Sequence, residues 1–254
     1  MTEFIKRNAT SFPDALIWEA EGLRLLTATL RKANQARPGA LQVPDVIRVS
    51  ASELVLPRID DRPAFREQMA ALGKGLAFMH RQTMPCYGLN HDNLIGLSRQ
   101  FNVLMDDWGA FFLDYRLKPQ VRMIADSRVK AEFESWLAEH ASALCGFLNR
   151  HCSHPSLLHG DLWAGNVLFD QDGPWLIDPA VYYGDREADL AMTELFGGFS
   201  PAFYQAYDSV YPRSEAYGMK RPIYNLYHTL NHYNLFGGSY LSACRRNLDE
   251  FERI

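Results

Sequence analysis

Apolar positions along the chain fall into two textures. Up to about residue 57 they form short runs around a single helix. Glu3-Phe4-Ile5-Lys6 reads as the end of a strand. Ser11-Phe12-Pro13 is a helix start, a cap-type residue with proline near the first turn. Leu16, Ile17, Ala20, Leu23, Thr27 and Leu30 follow at helical spacing. They predict a helix that ends between Ala33 and Gly39. Val43 to Val49 and Glu53 to Pro57 read as two short strands. After Asp60-Asp61 the pattern changes. Phe65, Met69, Leu72, Leu76 and Met79 sit at i, i+4, i+7, i+11 and i+14, which predicts one long amphipathic helix. The remainder is mainly helical, with one interruption. Val167-Leu168-Phe169 and Trp175-Leu176-Ile177 flank Asp170 to Pro174, a hairpin signal. The pattern predicts an α+β chain of two lobes. A small mixed N-lobe spans residues 1–59, with a linker near 57–61, and a larger helical C-lobe spans 60–254.

Composition narrows the class. The 254 residues are 47% hydrophobic and 22% charged, ordinary for a water-soluble globular chain. A formal net charge of -4 lacks the basic footprint of a nucleic-acid binder. No apolar run approaches the ~20 residues of a membrane span, and no apolar stretch follows the first charges as in a secretory signal. Cys86, Cys145, Cys152 and Cys244 are scattered, as for reduced thiols of a cytoplasmic protein. A zinc site from Cys145, His151, Cys152 and His154 is the alternative, although their spacing fits no standard pattern.

Candidate chemistry concentrates in His159-Gly160-Asp161-Leu162-Trp163-Ala164-Gly165-Asn166 and the hairpin that follows. With Phe169 opposite Trp175, Asn166 falls opposite Asp178, and Asp161 arrives on the incoming loop. Three oxygen-bearing side chains then converge. Phosphoryl transfer uses such a set: one Asp to orient and deprotonate an acceptor hydroxyl, an Asn and a second Asp to hold Mg²⁺ against the phosphates. The Asp-to-Asn spacing is that of the kinase catalytic loop, D-x-x-x-x-N. The ordinary alternative is that Asp161 and Asn166 cap local turns. A kinase of this kind also needs a strand lysine paired with a helix glutamate. Lys6 supplies the first; Glu19 and Glu21 both qualify for the second, and periodicity does not separate them. Their ordinary alternative is a solvated helix face. His228 and His232 stand at i, i+4, but Thr229 replaces the glutamate of a zinc-hydrolase HExxH. They read as helix-face packing, with a substrate role for His232 as the alternative. Trp108, Phe111, Phe112 and Tyr115 read as core. There is no GxSxG of a serine hydrolase.

HGDLWAGN, IDPAVYYGDREADLAM, ELFGGF and LYHTLNHYNLFGGSY, with Tyr87-Gly88-Leu89, Asn93-Leu94-Ile95-Gly96 and Asp107-Trp108, resemble the fructosamine kinase (ketosamine 3-kinase) family nearly end to end. Aminoglycoside phosphotransferases and choline kinases share only HGD…N…D. The resemblance implies a protein-kinase-like fold and ATP-dependent phosphorylation, with Mg²⁺, of a ketoamine sugar adduct on a small amine or glycated protein, linked to deglycation. It implies Asp161 as base, Asn166 and Asp178 as metal ligands, and Lys6 on the nucleotide phosphates with Glu21 favoured as its partner. Leu56-Pro57-Arg58 would be the hinge that binds adenine. Trp163 would pack on the sugar, and Asp189 would brace the catalytic loop. Asp185, after YYG, departs from the family pattern and is expected at the surface. The chain begins where a member's third strand should stand, so a truncated N-lobe without the Gly-rich turn is expected. A pseudokinase or binding module is the rival reading on that ground, and another small-molecule kinase of the aminoglycoside phosphotransferase type is a second.

Overall fold

The structure, a computed structural model, describes residues 2–33 and 40–252. Strand β1 (Glu3–Arg7) leads through a turn to helix α1 (Ala15–Lys32), followed by β2 (Arg48–Val49) and β3 (Glu53–Pro57). The three strands form an antiparallel sheet in the order β1-β3-β2. Its register sets Lys6 opposite Leu54 and Phe4 opposite Leu56. α1 lays Leu16, Ala20, Leu23 and Leu30 inward, the apolar stripe that its spacing predicts. It closes at Lys32 with Ala33 as cap; the rest of the stretch expected to end it, 34–39, lies outside the described residues.

The first of the two expected later strands is much shorter than its apolar pattern. Only Arg48–Val49 pairs with β3. Pro44 has no N–H to give to a ladder, and Leu41 and Val43 turn into the core instead. Gln42 between them joins the hairpin of the other lobe, its N–H donating to Pro174 O and its carbonyl accepting from Leu176 N, both at 2.9 Å.

The larger lobe opens with α2 (Arg66–His80), in which Leu72, Leu76 and Met79 are buried. Phe65 stands just ahead of it, 70% exposed. A small hairpin follows, β4 (Asn93–Ile95) and β5 (Ser98–Gln100), then α3 (Trp108–Phe112), α4 (Lys118–Arg122) and the long α5 (Ser127–His151). Next come β6 (Ser156–Leu158), β7 (Val167–Asp170), β8 (Gly173–Leu176) and β9 (Tyr182–Gly184). Helices α6 (Glu187–Leu195), α7 (Pro201–Asp208), α8 (Tyr217–Phe236) and α9 (Leu241–Glu252) complete the chain. β6 pairs with β9, and β7 with β8. Trp108, Phe111 and Phe112 are core residues, as their aromatic spacing suggests. Helix α2 packs tightly on α7: a Cβ on Gly73 would lie 2.2 Å from Phe203 O, so only glycine permits this approach.

Asp185 is not a surface residue. It is 3% exposed, and its carboxylate accepts hydrogen bonds from Lys220 Nζ at 2.7 Å and the Tyr224 hydroxyl at 2.6 Å. Lys220 is itself 1% exposed and also meets Glu187 Oε2 at 2.6 Å and His151 O at 2.8 Å. One buried ammonium therefore neutralises two buried carboxylates and ties α8 to the start of α6 and the end of α5. Replacing Lys220 with Met leaves the buried Asp185 without a counter-ion and Glu187 with Arg186 Nη2 alone, at 3.3 Å, and the expected loss is about 3–5 kcal/mol. Denaturant unfolding measures it; a loss below about 1 kcal/mol would mean that the cluster is not a structural anchor.

Candidate active site

The catalytic-loop segment is held from below by one buried carboxylate. Asp189, in the first turn of α6, accepts the backbone N–H of His159 at 2.7 Å and of Gly160 at 2.9 Å. His80 of α2 donates Nε2–H to the same group at 3.2 Å. Burial would raise the Asp189 carboxyl, but these hydrogen bonds and the neighbouring histidines outweigh it and hold it below the ordinary range. This is the bracing expected of Asp189. Gly160 adopts φ +82°, and a Cβ there would sit 2.0 Å from Ala180 O. The HGD tripeptide thus needs its glycine for both conformation and space. His159 is buried and donates Nε2–H to Ile177 O at 2.9 Å, while its Nδ1 accepts from Asp161 N at 3.3 Å. Burial lowers its pKa, consistent with a neutral ring.

After this bend Trp163 and a 3₁₀ turn, Ala164–Asn166, deliver Asn166 to β7. The β7–β8 hairpin forms as its apolar runs predict, but one residue out of the expected register. Phe169 pairs with Pro174, not Trp175. Asn166 therefore bonds to Ile177, whose N–H donates to Asn166 O at 3.1 Å, and Asp178 lies one residue further on. The slip does not separate the three side chains. Asn166 Nδ2 donates to Asp161 O at 2.8 Å and to Asp161 Oδ2 at 3.2 Å, with Asp178 O at 3.5 Å. Asp178 has φ +52°, the only positive φ of a non-glycine residue among the described residues.

From the other lobe, Lys6 reaches across. Its ammonium lies 2.8 Å from Glu19 Oε2 and 3.0 Å from Asp178 Oδ1. The helix partner of Lys6 is thus Glu19 and not Glu21. Two positions on a helix turn the side chain by about 200°, and Glu21 points away to pair with His91 Nε2 at 3.1 Å. Burial would lower the Lys6 ammonium, yet the two carboxylates outweigh it and raise it above the ordinary value. Burial likewise raises Glu19 to about 7, against the pull of Lys6 and with the charge of Asp178 adding to it. Asp161 is also pushed up to about 7, by burial first, opposed by the Asn166 amide and reinforced by the charges of Asp178 and Asp189.

One cavity of about 400 Å³ gathers these groups. Lys6, Glu19, Asp161, Trp163, Asn166 and Asp178 all line it. Leu56, Pro57 and Arg58 do not; Leu56 and Pro57 end β3, and Arg58 just beyond it donates its N–H to Thr2 O at 2.9 Å. Nor does His232, which donates Nδ1–H to His228 O at 2.8 Å and packs among Phe196, Phe236 and Tyr240. Asn93 has no role assigned from the sequence, where it stands only within a motif, and Gln100 is not singled out there. Asn93 Nδ2 donates to Val181 O at 2.9 Å and Gln100 Nε2 to Ala180 O at 3.0 Å, fixing the segment that carries Asp178.

The donor set suits a hard divalent cation that retains water and phosphate ligands. Asn166 spends its amide N–H₂ on Asp161, which leaves its Oδ1 available, and Asp178 is 44% exposed towards the cavity. No group of three or more His, Cys, Asp or Glu side chains forms a self-sufficient cage among the described residues.

Comparison with known proteins places these features in context. The family model described as fructosamine kinase matches residues 2–253. A "probable ketoamine kinase" of Vibrio vulnificus is 35% identical over 253 residues, covering 97% of this chain and 84% of the relative. The chloroplastic protein-ribulosamine 3-kinase of Arabidopsis thaliana is 34% identical over 256 residues, covering 99% and 76%. A crystal structure from Thermobifida fusca, provisionally named a fructosamine-3-kinase, superposes with a TM-score of 0.87 at 30% identity, covering 99% of this chain and 86% of that one.

The raised carboxyl of Asp161 has a consequence for stability. Its folded pKa, about 7, lies above the unfolded value, so its protonated form favours the folded state. That contribution is full below the unfolded pKa and is lost as pH rises through about 7. Asp161→Asn is therefore expected to stabilise the chain at pH 8 by about 1–2 kcal/mol after allowance for solvent screening. The gain shrinks as the buffer is made more acidic. Thermal unfolding of both forms across pH tests this; an equal or lower Tm for the variant at pH 8 would sink it.

Proposed function

The chain belongs to the fructosamine kinase family, phosphotransferases that act on ketoamines, and from that premise we propose that it moves the γ-phosphoryl group of ATP to a hydroxyl of a sugar-derived ketoamine. The observation that carries this reading is the placement of Asp161, hydrogen-bonded by Asn166 in the cavity that also holds Lys6 and Asp178.

Asp161 accepts the proton of the acceptor hydroxyl. A carboxylate near pKa 7 is well matched to that task at neutral pH, since it is available as a base and binds the proton firmly enough to assist attack. Lys6 draws phosphate oxygens by charge, and Glu19 keeps its long side chain in place. Asn166 and Asp178 would hold Mg²⁺. When bound, the cation neutralises charge on the phosphates and aligns them for in-line transfer. The approach of nucleotide phosphates also gives Lys6 an alternative to Asp178, freeing that carboxylate. The phosphorylated ketoamine then breaks down to release the amine, which connects the reaction to deglycation. The intact set of Lys6, Asp161, Asn166 and Asp178 favours a working kinase over a binding module.

The test follows ATP consumption with Mg²⁺ and a ribulose-derived ketoamine of Nα-acetyl-lysine, with kanamycin as the rival acceptor. Turnover is expected with the ketoamine and not with kanamycin. Asp161→Asn should lower kcat by about 10²–10⁴-fold. In the wild type, kcat/KM should rise with pH and level off above about 7, as Asp161 loses its proton. Turnover that survives Asp161→Asn, or a preference for kanamycin, would overturn the reading.

A further inference from the structure

A second cavity lies against α1 and shares no lining residue with the one around Asp161. Its volume is about 550 Å³, a size that suits a small organic ligand. Helix α1 gives it Glu21, Arg24 and Leu25. Residues 85, 86 and 89–91, ahead of β4, form the C-lobe part together with Leu104 and Tyr183. Its chemistry is one-sided. Leu25 is partly open and Leu104 is 47% exposed, so apolar surface is available. The acceptors are engaged: Glu21 Oε2 meets His91 Nε2 at 3.1 Å, and Asn90 Oδ1 meets His91 Nδ1 at 2.8 Å. The donors are free. The Arg24 guanidinium is exposed and has no ion pair or hydrogen bond among the described residues, and the Tyr183 hydroxyl has no hydrogen-bond partner among them. Burial and the neighbouring Cys86 sulfur hold the Tyr183 phenol above its ordinary value, so it keeps the proton it can donate. A guanidinium and open leucine surface in one cavity are complementary to a molecule with an apolar body and a carboxylate.

The same helix serves both cavities. Glu19 turns to Lys6 in the first, while Glu21 and Arg24 line the second. The C-lobe part is fixed to β9, where Gly88 and Tyr183 exchange backbone hydrogen bonds at 2.7 and 2.8 Å. Across the cavity, the Glu21–His91 pair already joins α1 to that part. An occupant that meets both Arg24 and the C-lobe part therefore holds α1 where Glu19 reaches Lys6. A ligand favours the conformation that it binds, here the one in which the Lys6–Glu19 pair is made.

We propose that this second cavity is an effector site for amphipathic carboxylates, anchored by Arg24, whose occupation favours the placement of Lys6 for nucleotide phosphates. The binding site stands apart from the kinase reading, and its effect on turnover rests on that reading.

The probe is indole-3-acetate, with indole-3-acetamide as its uncharged twin, each titrated calorimetrically into the wild type and Arg24→Gln. Arg24 is exposed and its guanidinium holds no partner among the described residues, so the variant keeps the fold. The wild type should bind the carboxylate with a Kd of about 1 mM or tighter and prefer it to the amide by about fivefold or more. Arg24→Gln should remove that preference. In the ATP assay, saturating indole-3-acetate should lower the KM for ATP by about fivefold in the wild type and leave Arg24→Gln unchanged. No binding, equal binding of acid and amide, or a preference untouched by Arg24→Gln overturns the site. Binding that leaves the KM for ATP unchanged, or raises it as an occupant of the catalytic cavity would, overturns the effector role. A wild type that binds the probe but never consumes ATP overturns the kinase reading and the effector role together, and leaves the carboxylate site standing.

Discussion

The proposed catalytic centre depends on a carboxylate buried beneath the loop that it holds. Asp189 is 2% exposed and accepts two consecutive backbone amides and one imidazole N–H. A buried charge is costly unless every lone pair finds a donor. Here the donors come from α2 and from the His159-Gly160 bend, so satisfying one charge fixes three pieces of chain. His80 can donate to Asp189 because the Tyr207 hydroxyl occupies its other nitrogen at 2.9 Å. Tyr207 is in turn held by Arg186 at 3.1 Å. The position of Asp161 is thus set by a chain of hydrogen bonds that reaches across α2, α6 and α7.

A second tension lies across the lobes. Lys6 is shared between Glu19 and Asp178, and Glu19 Oε1 is buried without a hydrogen-bond partner. Burial above all, opposed by Lys6 and helped by the charge of Asp178, brings Glu19 to about 7. The ammonium meets carboxylates from both lobes, an electrostatic contact in which each partner has another use.

Much of this was legible in the residues. Helices α1 and α2 follow from apolar spacing, and the Asp161, Asn166 and Asp178 cluster from the loop-and-hairpin pattern. What escaped the pattern did so for identifiable reasons. The β4–β5 hairpin buries Asn93 and Gln100, whereas hydropathy reads polar residues as outward. Its logic lies in hydrogen bonds to distant carbonyls, which no local window shows. Asp185 was misplaced on the surface for the same reason: its partners Lys220 and Tyr224 are 35 and 39 residues away. The one-residue slip in the β7–β8 register hinges on a two-residue turn at Gln171-Asp172, while apolar matching alone favoured Phe169 with Trp175. Glu19 and Glu21 were both candidates, since the phase of a helix relative to a strand is a tertiary property.

The left-handed backbone of Asp178 bears on how its variants can be interpreted. Asp and Asn tolerate this conformation better than residues with an apolar Cβ substituent, and alanine there adds a backbone penalty of about 1–2 kcal/mol. An alanine scan would thus blend two losses at this position, the missing oxygens proposed to hold Mg²⁺ and a reluctant main chain, and would overstate the chemistry of the carboxylate. Asparagine leaves the backbone at ease and removes only the charge. The same constraint narrows the paths open to natural drift. A chain that abandoned catalysis could exchange Asp178 for Asn or Gly with little injury to its fold, and such a replacement would be the signature to seek in descendants that kept the architecture and lost the reaction.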